Sequence, residues 1–190
     1  MPDNNNNNGF IPAHGGYRKL LSYQKSEIIY DGTVYFTAHF FNKFDRTVDQ
    51  MVQAARSGKQ NIAEGSIASG TSKETEIKLI NVARASLEEL QLDYEDFLRT
   101  KKIPIWEKDS KYVTRLRQLN LTPNASYDTF KKGIENVDPA ICANVMIGLI
   151  KITTYLLTRQ LKALEIVFAN EGGLREKMYK ARIIQRNKKQ

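Results

Sequence analysis

The sequence predicts an all-α protein: an antiparallel up-down four-helix bundle with a helical insertion between its third and fourth helices and a basic C-terminal helical tail. Three observations carry that prediction. Ile80, Ala83, Leu87, Leu90, Tyr94 and Phe97 recur at alternating spacings of three and four, one apolar stripe down a long helix of the kind that lines a bundle seam. The stretch 50–98 reads as two helical patterns joined by a short loop rich in Gly, Ser and Thr, which makes it a helical hairpin. Asp138 followed by Pro139 is a strong helix start, a capping carboxylate and then a residue whose missing N–H costs nothing at the first position.

In chain order, residues 1–16 hold five consecutive asparagines, Gly9, Pro12 and the Gly15-Gly16 pair, and are expected to be a mobile tail. Helix one is predicted from Tyr17 to about Asn42, with Leu21, Ile28 and Tyr35 one heptad apart and an aromatic end at Phe36, Phe40, Phe41 and Phe44. Gly32 in its middle costs about 1 kcal/mol relative to alanine and admits a close neighbour. Asp45 caps helix two, which places Val48, Met51, Val52, Ala55, Ile62 and Ala63 on one side and Gln53, Ser57, Gln60, Asn61 and Glu64 on another. Asn61 and Glu64 are expected to be solvated or tied to helix three through Arg84 or Ser86, a polar seam that sets register. Helix three starts at about Ser72, marked by Thr71 with Glu74 three residues on as a capping box, and ends near Arg99 ahead of the Ile103-Pro104 step.

The segment 103–137 differs in character, with the sole tryptophan, Trp106, and two weaker helical patterns at Asp109–Leu119 and Asn124–Asn136. It reads as an insertion covering one end of the bundle, with Trp106 as its anchor, since a lone aromatic makes no base-stacking platform. Helix four runs from Pro139 to about Ala169 with Ile141, Val145, Leu149, Ile152, Leu156, Leu161, Leu164 and Phe168 inward, and stops at Gly172-Gly173. The body therefore spans 17–172 and a tail spans 173–190.

Composition bounds the function classes. At 190 residues and 41% hydrophobic, the chain can build an ordinary core. Its one cysteine, Cys142, has no intramolecular partner, so there is no disulfide framework and a reducing, cytoplasmic setting is expected. The longest uninterrupted apolar run near it, Val145–Ile150, falls far short of the roughly twenty residues that span a bilayer, and no membrane association is expected. The two histidines, His14 and His39, stand in no Glu-x-x-His pair, which removes a di-iron site, and neither follows an arginine by four to six residues as in helical-bundle ribonucleases. A Cys-rich zinc site and a phosphate-binding loop lack their residues too. No cofactor is implied, and nothing selects Glu64, Arg84 and Glu88 as a catalytic set.

The last seventeen residues carry seven basic side chains and one acidic one, a local charge of +6 out of +8 for the whole chain. Leu174, Met178 and Ala181 fall on one helical side while Arg175, Arg182, Arg186 and Lys189 fall near another, an amphipathic pattern. Such a helix suits the phosphate backbone of RNA or DNA, an anionic membrane surface or an acidic protein partner, and equally a solvated end that only confers solubility.

Beside this reading stands a resemblance. The runs SGKQNIAEG at 57–65, TSKETE at 71–76 and ARASLEEL at 83–90 resemble the four-helix-bundle proteins encoded by intervening sequences in bacterial 23S ribosomal RNA genes. PIWEKD at 104–109, LLTRQLKALE at 156–165 and EGGLREKMYKAR at 171–182 resemble the longer members that carry a four-helix-bundle suffix domain. The resemblance covers about 17–182 and implies a left-handed four-helix bundle assembled as a basic homopentamer. A related branch, the accessory variability determinant proteins of diversity-generating retroelements, associates with a reverse transcriptase and with nucleic acid.

Two functions follow as expectations. One is a non-enzymatic, oligomeric nucleic-acid-binding or ribonucleoprotein accessory protein, in which Arg175, Lys177, Lys180, Arg182, Arg186, Lys188 and Lys189 make sequence-independent phosphate contacts. The other is a protein-interaction scaffold that recruits a partner enzyme and has no nucleic-acid affinity of its own.

Overall fold

The computed structural model describes residues 14–42 and 44–187. Among them the protein is all-α, with no strand. A 3-10 turn at Tyr17–Lys19 leads into α1 (Leu21–Phe40), followed by α2 (Arg46–Ala68), α3 (Lys73–Thr100), α4 (Lys111–Asn120), α5 (Tyr127–Ile134), α6 (Pro139–Glu171) and α7 (Leu174–Asn187). Of the tail expected over 1–16, residues 1–13 lie outside the described residues, and the backbone N–H of Gly15 donates to the Ser66 carbonyl at the end of α2, so the last part of that segment is docked.

Helices α1, α2, α3 and α6 enclose the core in cyclic contact, α1 with α2, α2 with α3, α3 with α6 and α6 with α1. Their contacts run in opposite chain directions. Gly58 lies under Leu87 while Gly65 lies against Glu76 and Ile80, and the absence of a Cβ at each lets α2 and α3 approach closely. Along α1 and α6, Ser22 Oγ donates to Gln160 Oε1 at 3.1 Å, and Gly32 sits beside Met146.

The α3 stripe is inward as its spacing predicts: Ile80, Ala83, Leu87, Leu90 and Tyr94 are fully buried and Phe97 nearly so. Helix α1 is different. Of the expected heptad, Ile28 is buried, but Leu21 is 60% exposed and Tyr35 only half-buried, and the inward face is completed by Ser22, Ser26, Ile29, Thr33, Phe36 and Thr37. That face has little hydrophobic contrast because its hydroxyls are satisfied by their own helix: Ser26 donates to Tyr23 O (2.6 Å), Thr33 to Ile29 O (2.8 Å) and Thr37 to Thr33 O (2.9 Å). In α6, the residues 142–147 are buried all round, since α1, α3 and α5 all pack on this part, and farther along Thr153, Leu157 and Leu161 face inward while Leu156 is only half-buried. An 18-residue window of this helix is long and apolar enough to cross a membrane, with mean hydropathy 1.7, but 56% of it is buried in the core. Its apolarity is that of the most enclosed helix of the fold.

Helix ends follow local chemistry with two departures. Asp45 and Asp138 cap α2 and α6 by accepting from Thr47 N (2.9 Å) and Ala140 N (2.8 Å). At the start of α3, however, Ser72 is the cap and accepts from Thr75 N, while Thr71 donates back to Ala68 O and Glu74 pairs with Lys78. The expected Thr71–Glu74 box is not formed, because the hairpin turn still runs through Thr71. Helix α3 ends before the proline exerts any effect: Ile103 N–H bonds Leu98 O and Lys102 N–H bonds Arg99 O, a Schellman motif with Lys102 at φ +58° in the position that favours glycine.

The insertion does more than cover an end. Phe130 and Ile134 of α5 are buried in the core, laid over the groove between α1 and α6, with Gly133 against Val145. The preceding segment is tied down by Asn144, whose Oδ1 accepts from Trp106 N at 2.7 Å and whose Nδ2 donates to Pro104 O.

Candidate nucleic-acid interface

Helix α7 is separated from α6 by Gly172, at φ +68°, and Gly173. The left-handed residue ends α6, and a new start follows at once, with Gly173 N–H donating to Glu176 Oε2 at 2.7 Å. No residue of α7 is buried. Its first turn lies beside the α2–α3 turn, in a shallow cleft lined by Ser72, Lys73, Glu74, Phe168 and Met178, and the rest makes no substantial packing against another helix.

A helix advances about 100° per residue, so positions 175, 182 and 186 share one stripe. Tyr179, 67% exposed, belongs to the same stripe, four residues after Arg175 and seven before Arg186. Three arginines and an exposed aromatic ring thus line one side of a helix that touches the bundle only at its first turn. Lys177 and Lys180 fall away from this stripe, and Lys177 is held by Glu171 at 2.8 Å. That ammonium keeps the Glu171 carboxyl below the usual carboxylate range. Arg175 lies close enough to Glu74 to add to the lowering of its carboxyl, the larger cause being the Lys78 ammonium 2.7 Å away. Lys180, Arg182 and Arg186 make no ion pair among the described residues, so their charge is open to a polyanion. Lys188 and Lys189 lie outside the described residues.

The same helix bears apolar groups on its other sides: Met178, Ile183 and Ile184 are 36%, 39% and 56% exposed. They lie about 100–140° apart around the helix axis and form no single apolar face. Helix α1 begins level with Gln160, and farther along α6 Ile166 is 62% exposed.

The expected polar seam between α2 and α3 is assembled only in part. Asn61 Nδ2 donates to the carbonyl and to Oγ of Ser57 (2.9 and 3.2 Å), and Ser57 Oγ meets Ser86 Oγ at 2.9 Å. Ser57 is therefore the bridge, a residue whose i, i+4 spacing to Asn61 is visible in the sequence. Glu64 is exposed and takes no part. Arg84 turns along its own helix, donating to Asn81 Oδ1 at 3.0 Å and lying 3.9 Å from Glu88, because the α2 backbone is too close at this level for a guanidinium to pass between. Glu64, Arg84 and Glu88 consequently form no cluster around a common point.

Other reactive groups are equally dispersed. The Cys142 thiol is buried, donates to Ile134 O, and is pushed up to about 12 by burial, so it is no nucleophile near neutrality. Among the described residues no group of three His, Cys, Asp or Glu side chains is placed to hold a metal ion.

No protein-family model, no curated protein and no solved structure matches this chain.

Proposed function

We propose that this protein is a non-enzymatic, oligomeric nucleic-acid-binding accessory protein, built on an up-down four-helix bundle of α1, α2, α3 and α6. The observation that carries the reading is the stripe of Arg175, Tyr179, Arg182 and Arg186 on a helix that no core element covers. Arginine forks pair with phosphate oxygens, and such contacts read no sequence. The homopentamer implied by the resemblance to proteins of 23S rRNA intervening sequences would present five such stripes, so weak single contacts would sum to useful avidity. Lys177 contributes less in this scheme, since Glu171 already neutralises it.

The test is binding to single-stranded RNA and duplex DNA across a salt series. The full chain is expected to bind with affinity that falls steeply with salt, and the triple substitution R175Q/R182Q/R186Q to flatten the log–log salt slope by about one unit per arginine removed. An unchanged slope in that variant, or in a chain lacking residues 174–190, would sink the reading.

A second reading, a scaffold that recruits a partner enzyme, is favoured by a different observation: the exposed apolar side chains of Ile166, Met178, Ile183 and Ile184. A protein partner recovered with the wild type and lost on Ile166→Ser and Ile184→Ser changes, with no shift of RNA or DNA at low salt, would favour the scaffold; no partner and no shift would count against both readings.

A further inference from the structure

Away from α7, the insertion and α6 enclose a cleft of about 440 Å³ that the nucleic-acid reading does not use. Its walls are hydrocarbon: Ile105, Trp106 and Leu116 on one side, Ile147, Ile152 and Tyr155 on the other. Leu116, the only buried residue of α4, rests on the α6 backbone at Gly148, where any side chain would overlap it. Tyr112 stacks on Trp106 with ring centroids 4.8 Å apart and holds the indole in place as a wall.

The one uncharged polar side chain in the lining besides the Tyr155 phenol is Asn144, and it is fully engaged. Its Oδ1 accepts from Trp106 N, and its Nδ2 donates to Pro104 O and Ala140 O. A nucleobase, sugar or peptide strand entering here would lose its bonds to water and find few in exchange. Cations complete the lining. Lys108 and Arg117 are exposed and make no ion pair among the described residues, and the nearest carboxylate to Lys151 is Glu95 at 3.8 Å. The volume lies in the range of small-molecule sites rather than of packing defects.

We propose that this cleft binds a small amphipathic anion, an alkyl or aryl hydrocarbon ending in one carboxylate or comparable anionic head. The hydrocarbon fills the space between α4 and α6, and the head remains at the mouth between Arg117, Lys108 and Lys151. The same positive charge repels the basic α7 of a second copy, which removes the chain's own tail as occupant. This inference is independent of the role assigned to α7.

The sole tryptophan lines the cleft, so occupancy is read directly from its emission. Full-length protein is titrated with decanoate below its micellar concentration, with decanol as the uncharged counterpart and with vesicles of anionic phospholipid. The expected result is a saturable change in Trp106 emission at one decanoate per chain, binding of decanol at least tenfold weaker, and no response to vesicles. R117Q/K151Q is expected to weaken decanoate at least tenfold and leave decanol unchanged, with the far-ultraviolet circular dichroism of the wild type. No saturable change, equal affinity for decanoate and decanol, indifference to R117Q/K151Q, or a response to vesicles alone would each overturn the proposal.

Discussion

Tyr94 stands where α1 and α3 meet, fully buried, its hydroxyl donating to Thr33 Oγ1 at 3.1 Å. Burial raises its pKa well above the usual phenol value, and it is not alone. Tyr23 is pushed up to about 12, by burial first and by its hydrogen bond to Glu27 second, and Tyr127 is raised by burial and by Glu135. All three are held protonated in the native state, so above pH 10 the unfolded chain releases protons that the folded chain keeps. Their contribution is complete below pH 10 and is lost as pH rises through about 12. Lys25, buried beneath Phe130 with its pKa lowered by desolvation, acts in the opposite sense as pH approaches 10.5. With three tyrosines against one lysine, urea stability is expected to fall between pH 10 and 11, with the last third of the tyrosinate absorbance appearing only together with unfolding; a still-folded chain at pH 11 in which all nine tyrosines have ionised would contradict this. A second prediction at this scale contrasts two glycines. Gly58→Ala gains about 1 kcal/mol of helix propensity but drives a methyl into Leu87, a fully buried side chain with no room to move, and overpacking of this kind costs typically 1–3 kcal/mol. A net loss of about 1–2 kcal/mol is expected from urea midpoints. Gly32→Ala meets the unbranched end of Met146 first and Ile134 Cγ2 at 3.1 Å second, and is expected to cost less than Gly58→Ala because the thioether can adopt another rotamer.

Among the elements, α3 carries a correctable flaw at its end. Lys102 occupies the left-handed position of the Schellman motif, which costs an L-residue about 1–2 kcal/mol, partly regained by the lower unfolded-state entropy of a non-glycine. Lys102→Gly is expected to raise the thermal midpoint, by up to about 1 kcal/mol in stability, and a lower midpoint would show that the motif is not limiting. The caps at Asp45 and Asp138 were legible because a single side chain beside a proline or an apolar run suffices to identify them. The start of α3 was legible only to within a residue, since Thr71 and Ser72 are chemically alike and the hairpin geometry chooses between them. The inward face of α1 was legible only at Ile28 and Phe36. Its buried positions are mostly hydroxyl and small residues whose polarity their own helix absorbs.

At the level of the whole molecule, charge and packing are segregated. The core lies in α1, α2, α3, α5 and α6 with Leu116 of α4, and most of the net positive charge lies in the last seventeen residues, of which the described ones, in α7, contribute no buried side chain. Removal of residues 174–190 is therefore expected to leave the unfolding free energy of the remainder within about 0.5 kcal/mol of the full chain, the range of surface changes, while nucleic-acid affinity is lost. A large loss of stability on that truncation would mean that α7 is docked in solution and its arginines are not free to bind.

Helix existence, the inward stripe of α3, the caps of α2 and α6, the glycine break before α7 and the concentration of charge at the C-terminus are all local properties. Each depends on residues within one or two turns of each other, and so each can be read along the chain. Which face of α1 turns inward, that Ser57 and not Glu64 or Arg84 links α2 to α3, that α5 enters the core, and that a hydrocarbon cleft forms over Gly148 depend on residues brought together from distant parts of the chain. No periodicity encodes them, because they are settled by which side chains fit when several helices compete for the same volume.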